Sequence, residues 1–249
     1  MSCVPKLPRT GEAGQTLRQA LIRRRQRLGR RLDPLALEQL YQANYLELAH
    51  RTPWLHEPPL SSPGGGTASF SQLYVLLSLL REGDFQRVLE LGVGKSTALL
   101  QQWAEAHGAE TEHIDDDAGW LEATVQKRAG STAVHAPLAR STVLGRDIQW
   151  YNTEPPSGKF DLVLVDGPQA WRGHDRYNRL GVLHWLPEIL ADGFVLVIDD
   201  ASRSGERALV RAAEQEVRAA CPQVVSREVI GGNSQAIIAT PRYRFAAYL

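Results

Sequence analysis

Two near-continuous apolar stretches, F-D-L-V-L-V at 160–165 and F-V-L-V-I at 194–198, limit the folds open to this chain. Each is too short for a core helix and too evenly apolar for a strand with one wet face. Runs of this kind, separated by helical segments, belong to parallel strands buried on both faces of a sheet. Upstream, the same alternation starts at 85. A strand at 87–91 precedes a helix at 95–107, and a strand at 111–114 precedes a helix near 118–129. A third short strand is expected at 133–135. A helix at about 176–190 joins the two long apolar runs, and another spans 204–220. The chain then changes pattern. Strand-like runs at 224–230 and 234–240 flank Gly231-Gly232-Asn233, a turn suited to an antiparallel hairpin. The expected fold is α/β, with a mostly parallel sheet that ends in an antiparallel pair.

The N-terminal third reads differently. A helical pattern is expected from 15 to about 32, with seven arginines between Arg18 and Arg31, and a second helix starts at Asp33-Pro34 and runs to about His50. The arginines form either a solvated basic face or a patch for an anionic partner. Residues 51–69 are rich in Pro, Gly and Ser and read as a loop, followed by a helix at 70–82. This organisation divides the chain into a helical N-terminal arm and loop, 1–82, and an α/β domain, 83–249.

Composition narrows the function classes. The 28 basic residues balance the 28 acidic ones, which argues against a nucleic-acid partner. Cys3 and Cys221 are the two cysteines, and no Cys/His cluster suggests a zinc site. No apolar run resembles a signal peptide or reaches the roughly 18 residues of a membrane span. A soluble, cytoplasmic protein with no membrane partner is expected.

The stretch E-L-G-V-G-K-S-T at 90–97 follows the first strand. Its tail resembles the end of a triphosphate-binding loop, but that loop needs a glycine where Leu89 stands. The dinucleotide pattern G-x-G-x-x-G also fails, at Thr97. What strengthens the glycine turn is Asp115-Asp116-Asp117 at the end of the second strand, about 20 residues on. A carboxylate there can accept the ribose hydroxyls of an adenosine ligand.

Four segments in order, E-L-G-V-G-K-S-T, I-D-D-D-A-G-W-L-E, F-D-L-V-L-V-D-G-P and G-F-V-L-V-I-D-D-A-S-R, resemble class I S-adenosylmethionine-dependent methyltransferases across residues 85–240. The resemblance implies a Rossmann-like, seven-stranded sheet with an antiparallel last strand. It implies a donor site at Glu90, Gly92, Gly94, Ser96, Asp115, Asp116 and Asp166, with Glu90, Gly92 and Gly94 around the methionine moiety and Asp115 as the ribose acid. Trp120 matches an aromatic of the family, read here as packing on its helix. The stretch V-H-A-P-L after the third strand departs from the family's adenine-side pattern.

The resemblance also implies methyl transfer to oxygen on a small-molecule or sugar-like acceptor. Asp166, Asp199 and Asp200 match the strand-end acids of metal-dependent O-methyltransferases, which implies a possible Mg²⁺ site. Two departures weaken that match: Asp200 stands in place of Asn, and Gln169 in place of Lys. The segment D-G-P-Q-A-W-R-G-H-D-R-Y supplies His174, whose ordinary pKa near neutrality makes it a candidate general base beside Asp166. Ser96 and Thr97 are also candidates for satisfying free amides at the helix start, and Lys95 is expected as an exposed first-turn residue. Competing readings are a non-catalytic adenosyl-binding scaffold and a nucleotide triphosphatase. A homodimer is a further possibility that the sequence leaves open.

Overall fold

The computed structural model describes residues 33–60, 68–170 and 173–249. The expected helix at 15–32, with its arginine cluster, lies outside the described residues. In chain order the elements are helix α1 (Pro34–His50), α2 (Phe70–Glu82), strand β1 (Arg87–Leu91), α3 (Lys95–His107), β2 (Glu110–Asp115), α4 (Ala118–Thr124), β3 (Ser131–His135), β4 (Leu138–Val143), β5 (Arg146–Tyr151) and β6 (Phe160–Val165). A 3₁₀ segment (Gly173–His184), β7 (Leu190–Ile198), α5 (Ser204–Ala220), β8 (Val225–Val229), β9 (Gln235–Ala239) and a terminal 3₁₀ segment (Pro241–Tyr248) complete the chain.

Seven strands form one sheet in the order β3-β2-β1-β6-β7-β9-β8. The pairings β1–β2, β1–β6, β2–β3 and β6–β7 are parallel, while β9 runs antiparallel to both β7 and β8. The sheet is thus Rossmann-like, mostly parallel, with an antiparallel last strand, as expected. The chain winds outward from β1 to β3 and then crosses back to β6 on the other side of β1. Strand order therefore reverses at β1, and the carboxyl ends of β1 and β6 flank the crevice that such a switch opens.

Side chains alternate cleanly between two apolar faces. Leu89, Leu91, Val163, Val165, Leu196 and Ile198 point to one side, where Leu209, Ala213 and Val217 of α5 cover them. Val88, Leu162, Leu164, Val195 and Val197 point to the other, under Leu73, Leu76 and Leu80 of α2, Leu99 and Trp103 of α3, and Tyr45 of α1. This explains the unbroken apolar runs of β6 and β7: both faces of these strands meet hydrophobic layers. Helix α2 buries nine of its thirteen residues and is capped by Ser69, whose hydroxyl accepts from the Gln72 amide at 3.1 Å. It is a core element, joined to α1 by an extensive helix–helix contact.

Three expectations needed correction. Helix α4 stops at Thr124 instead of near 129, because Gln101 of α3 captures the next stretch in extended form. Its amide donates to the Gln126 carbonyl at 2.8 Å and its carbonyl accepts from the Gln126 amide at 3.1 Å. The segment expected as an α-helix at 176–190 is a 3₁₀ segment ending at His184, and it buries polar Asn178 and Arg179 along with Leu180 and Val182. A two-stranded hairpin, β4–β5, was not foreseen. Its turn places Leu144 (φ 50°) and Gly145 (φ 69°) in left-handed conformations. Leucine is a rare occupant of such a position, so the sequence carries no ordinary turn signal there. Among the described residues no helix is long and apolar enough to cross a membrane.

Candidate functional site

The glycine turn begins where β1 and β6 part. Gly92 has φ +88°, and a Cβ placed on it would lie 2.5 Å from the Gly167 amide nitrogen. A Cβ on Gly167 would in turn lie 2.6 Å from the Gly92 Cα. Two strand ends meet here backbone to backbone, which only paired glycines permit. Gly94 is different: a Cβ there would meet nothing within 4 Å. Space over this part of the turn is open.

The turn is fixed from below by Glu90. Its carboxylate is fully buried and accepts from Ser96 Oγ at 2.5 Å, Thr97 Oγ1 at 2.7 Å and His113 Nδ1 at 2.7 Å. His113 reaches Thr111 Oγ1 through its other ring nitrogen, at 3.0 Å. Glu90 and Ser96, expected at the donor, are therefore spent on each other and shape the loop from inside. Thr97 also accepts from the Gly94 amide at 2.9 Å, as expected of a residue satisfying the helix start. Lys95 is half-buried, more enclosed than a solvated first-turn residue. The missed member of this network is His113, in the largely polar strand β2, with no spacing to mark it.

At the end of β2 the acids divide their labour. Asp115 is buried, with one oxygen accepting from the Val93 amide at 2.9 Å and the other from the Asp117 amide at 2.9 Å. Burial raises its pKa, against the pull of those two amides. Asp116 is half-exposed, and burial together with the Asp115 charge raises it too. Trp120, expected to pack on its helix, also reaches the glycine turn. Its side chain is 45% exposed and its indole Nε1 donates to the Val93 carbonyl at 2.8 Å, holding the ring against the glycine turn. His135, from the stretch that departs from the family pattern, is exposed and contacts the Asp116 carbonyl at 3.1 Å.

The ends of β6 and β7 bring Asp166, Asp199 and Asp200 together, with carboxylate oxygens within 4.8 Å of one another. A guanidinium lies among them. Arg179 donates from Nη2 to Asp166 at 3.0 Å and from Nη1 to Asp200 at 3.1 Å, with Glu206 at 3.7 Å. Its Nε donates to the Pro168 carbonyl at 3.2 Å. Gln72 of α2 donates to the other oxygen of Asp166 at 3.0 Å, and Gln235 of β9 donates to Asp199 at 2.8 Å. Arg203 pairs with Asp200 from outside at 2.6 Å. Asp200 itself holds a left-handed φ of 56°, a strained state that its ion pairs maintain.

Burial sets the protonation of this cluster. It pushes Asp166 up to about 6, with Arg179 pulling the other way, and Glu206 likewise to about 6. Asp199 is raised well above the ordinary range by burial and by the charges of Asp166 and Asp200. Burial alone would discourage the Arg179 charge, but the surrounding carboxylates outweigh it and hold its pKa above the usual value. Surplus negative charge is thus met by protons as well as by arginine.

Tyr151, from the unforeseen hairpin, completes the crevice. It is buried, and a Cβ on Gly167 would lie 2.4 Å from its hydroxyl oxygen. That hydroxyl has no hydrogen-bond partner among the described residues. Of the candidate base His174, the backbone belongs to the 3₁₀ segment, while the side chain lies outside the described residues, as do Trp171 and Arg172. A groove of about 600 Å³ between α5 and β8, lined by Arg207, Val210, Arg211 and Ser226, shares no residue with this site.

No protein-family model matches the sequence, and no curated protein matches it. Solved structures similar to the chain include the O-methyltransferase from Bacillus cereus in complex with SAH, with 13% identity over 80% of this chain and 90% of that one, at a TM-score of 0.43. A methyltransferase from Pyrococcus furiosus is 14% identical over 80% and 96%, with a TM-score of 0.45. The SAH-bound Podospora anserina methyltransferase PaMTH1 is 12% identical over 94% and 98%, with a TM-score of 0.43.

Proposed function

We propose that this chain is a class I S-adenosylmethionine-dependent methyltransferase acting on an oxygen of a small-molecule acceptor. The observation that carries the reading is the open backbone at Gly94, at the switch point, next to Val93, whose amide binds Asp115 at the end of β2 and whose carbonyl holds the Trp120 indole. A nucleoside needs such a surface: close backbone approach, a carboxylate for ribose hydroxyls and an apolar plane.

For the transfer, the acceptor oxygen would have to be held in line with the donor's methyl group and give up its proton to a base. S-adenosylmethionine supplies the electrophilic methyl group. The chain's own residues align the acceptor and take the proton. Asp166 is placed for the acceptor side, at the carboxyl end of β6, with one edge of its carboxylate exposed. His174 is the second candidate for the proton, being the one histidine of the segment that follows β6 and precedes Arg179. The domain 83–249 holds the donor, and the segment before it contributes Gln72 to the site.

Thermal denaturation with S-adenosylmethionine, S-adenosylhomocysteine, ATP and NAD tests the reading. The first two should raise the melting temperature and the others should not. Stabilisation by ATP alone would overturn it. In an acceptor panel, His174→Ala should lower kcat by roughly a hundredfold with donor affinity unchanged; wild-type turnover would remove His174 from the mechanism.

A further inference from the structure

The three strand-end acids that would suit a divalent cation already have one of their own. A hard cation in an all-oxygen cage asks for carboxylate oxygens converging on free space. Here the space between Asp166 and Asp200 is taken by the Arg179 guanidinium, which bridges them from 3.0 and 3.1 Å and is itself 5% exposed. The guanidinium is held from behind by the Pro168 carbonyl at 3.2 Å and, more weakly, by the Asp199 carbonyl at 3.4 Å. Asp199 turns its carboxylate to the Gln235 amide. A metal ion entering this cluster would have to break both ion pairs and sit against a buried guanidinium left with only Glu206, at 3.7 Å. Crowding a second cation onto that buried charge is costly. The residues do not fit a resident divalent ion.

We propose that Arg179 is a built-in replacement for the metal: its guanidinium does the electrostatic work at the ends of β6 and β7, and the protein functions without a divalent cation. Arg179 is a positioning residue. Together with Gln72 it fixes both oxygens of Asp166, so that the carboxylate faces the crevice in one orientation. Arginine suits this because its planar fork spans two carboxylates at once, whereas lysine would reach one. The placement stands on geometry alone and rests on the methyltransferase reading only where turnover is measured.

The test is a Mn²⁺ titration of the full chain, followed by electron paramagnetic resonance of the free ion, with no donor or acceptor present. Wild type should bind no more Mn²⁺ than Asp199→Asn. Arg179→Met should gain one Mn²⁺ site per chain, lost again when Asp199→Asn is added. Wild-type Mn²⁺ binding that Asp199→Asn abolishes would overturn the proposal, and this comparison decides even if the methionine variant does not fold. A folded Arg179→Met that gains no site would also overturn it. Methyl transfer should be unchanged by EDTA in wild type. In Arg179→Met it should fall, and added guanidinium or Mn²⁺ should restore part of it, a rescue that a purely structural role would not give. Stabilisation by S-adenosylhomocysteine, read on the same samples, separates failure of this proposal from failure of the methyltransferase reading.

Discussion

The rim of the sheet is built in two ways. At the ends of β1 and β2 the acids bind backbone amides, Asp115 to Val93 and Asp117, and the space above Gly94 stays open. At the ends of β6 and β7 the acids bind side chains, Asp166 to Arg179 and Gln72, Asp199 to Gln235, and the space between them is filled. On the proposed reading, the open half receives the donor. The second is an electrostatic unit closed on itself, with one edge of Asp166 exposed. The same residue type at the same kind of position thus borders open space on one side and builds an internal frame on the other.

The two glycines of the turn give the sharpest way to break this contrast. Gly92→Ala puts a Cβ against the Gly167 backbone at a positive φ, so it should cost about 3 kcal/mol or more in urea unfolding. Gly94→Ala meets no protein atom, so its stability should stay within about 1 kcal/mol of wild type. Its Cβ enters the open space, however, and S-adenosylhomocysteine affinity should fall about tenfold or more by calorimetry. If Gly94→Ala binds the ligand as wild type does, the open half is not the docking half.

The filled half should reveal itself through pH. Asp166 and Glu206 are both raised to about 6. Between roughly pH 4 and 6 the folded chain keeps protons there that the unfolded chain has released. Folding is therefore favoured at the low end of that window, and stability declines as pH rises to about 6, by an amount on the order of 1–3 kcal/mol. Above pH 6 these groups add no further slope. Urea unfolding from pH 4 to 7.5 should show this decline in wild type and a smaller one in an Asp166→Asn/Glu206→Gln double variant. Equal slopes in the two proteins would mean that burial does not govern these carboxyls.

How much of this was readable from the sequence follows the same division. Leu162–Val165 and Phe194–Ile198 declare themselves because burial on two faces leaves unbroken apolar runs. The strand-end acids are legible because they follow those runs directly. Asp115 even finds one of its partners two residues away, so local sequence contains the interaction. Arg179 does not. It lies thirteen residues beyond Asp166, in a segment expected only as a connecting helix, and the fold turns it inward. Gln72 comes from a helix 94 positions away and Gln235 from one of the last two strands. Glu90 reads as ligand-facing by motif, yet Ser96, Thr97 and His113 enclose it. What side chain meets an acid is a long-range fact, and a single sequence carries little trace of it.

The smallest effect is expected at Lys95, and it is informative because another reading makes it the largest. In a triphosphate loop the lysine of Gly-Lys-Ser contacts the phosphates, and its removal abolishes binding. Here Leu89 removes the first glycine of that loop, and the turn's inner surface is occupied by Glu90, an anion that would repel phosphate. Lys95→Ala should therefore leave stability within about 1 kcal/mol of wild type, as for a half-buried side chain, and S-adenosylhomocysteine affinity nearly unchanged. ATP should stabilise neither protein. Stabilisation of wild type by ATP, lost in Lys95→Ala, would invert the contrast: the open half of the rim would then be a phosphate site, and the carboxylate of Glu90 beneath it would need a different explanation.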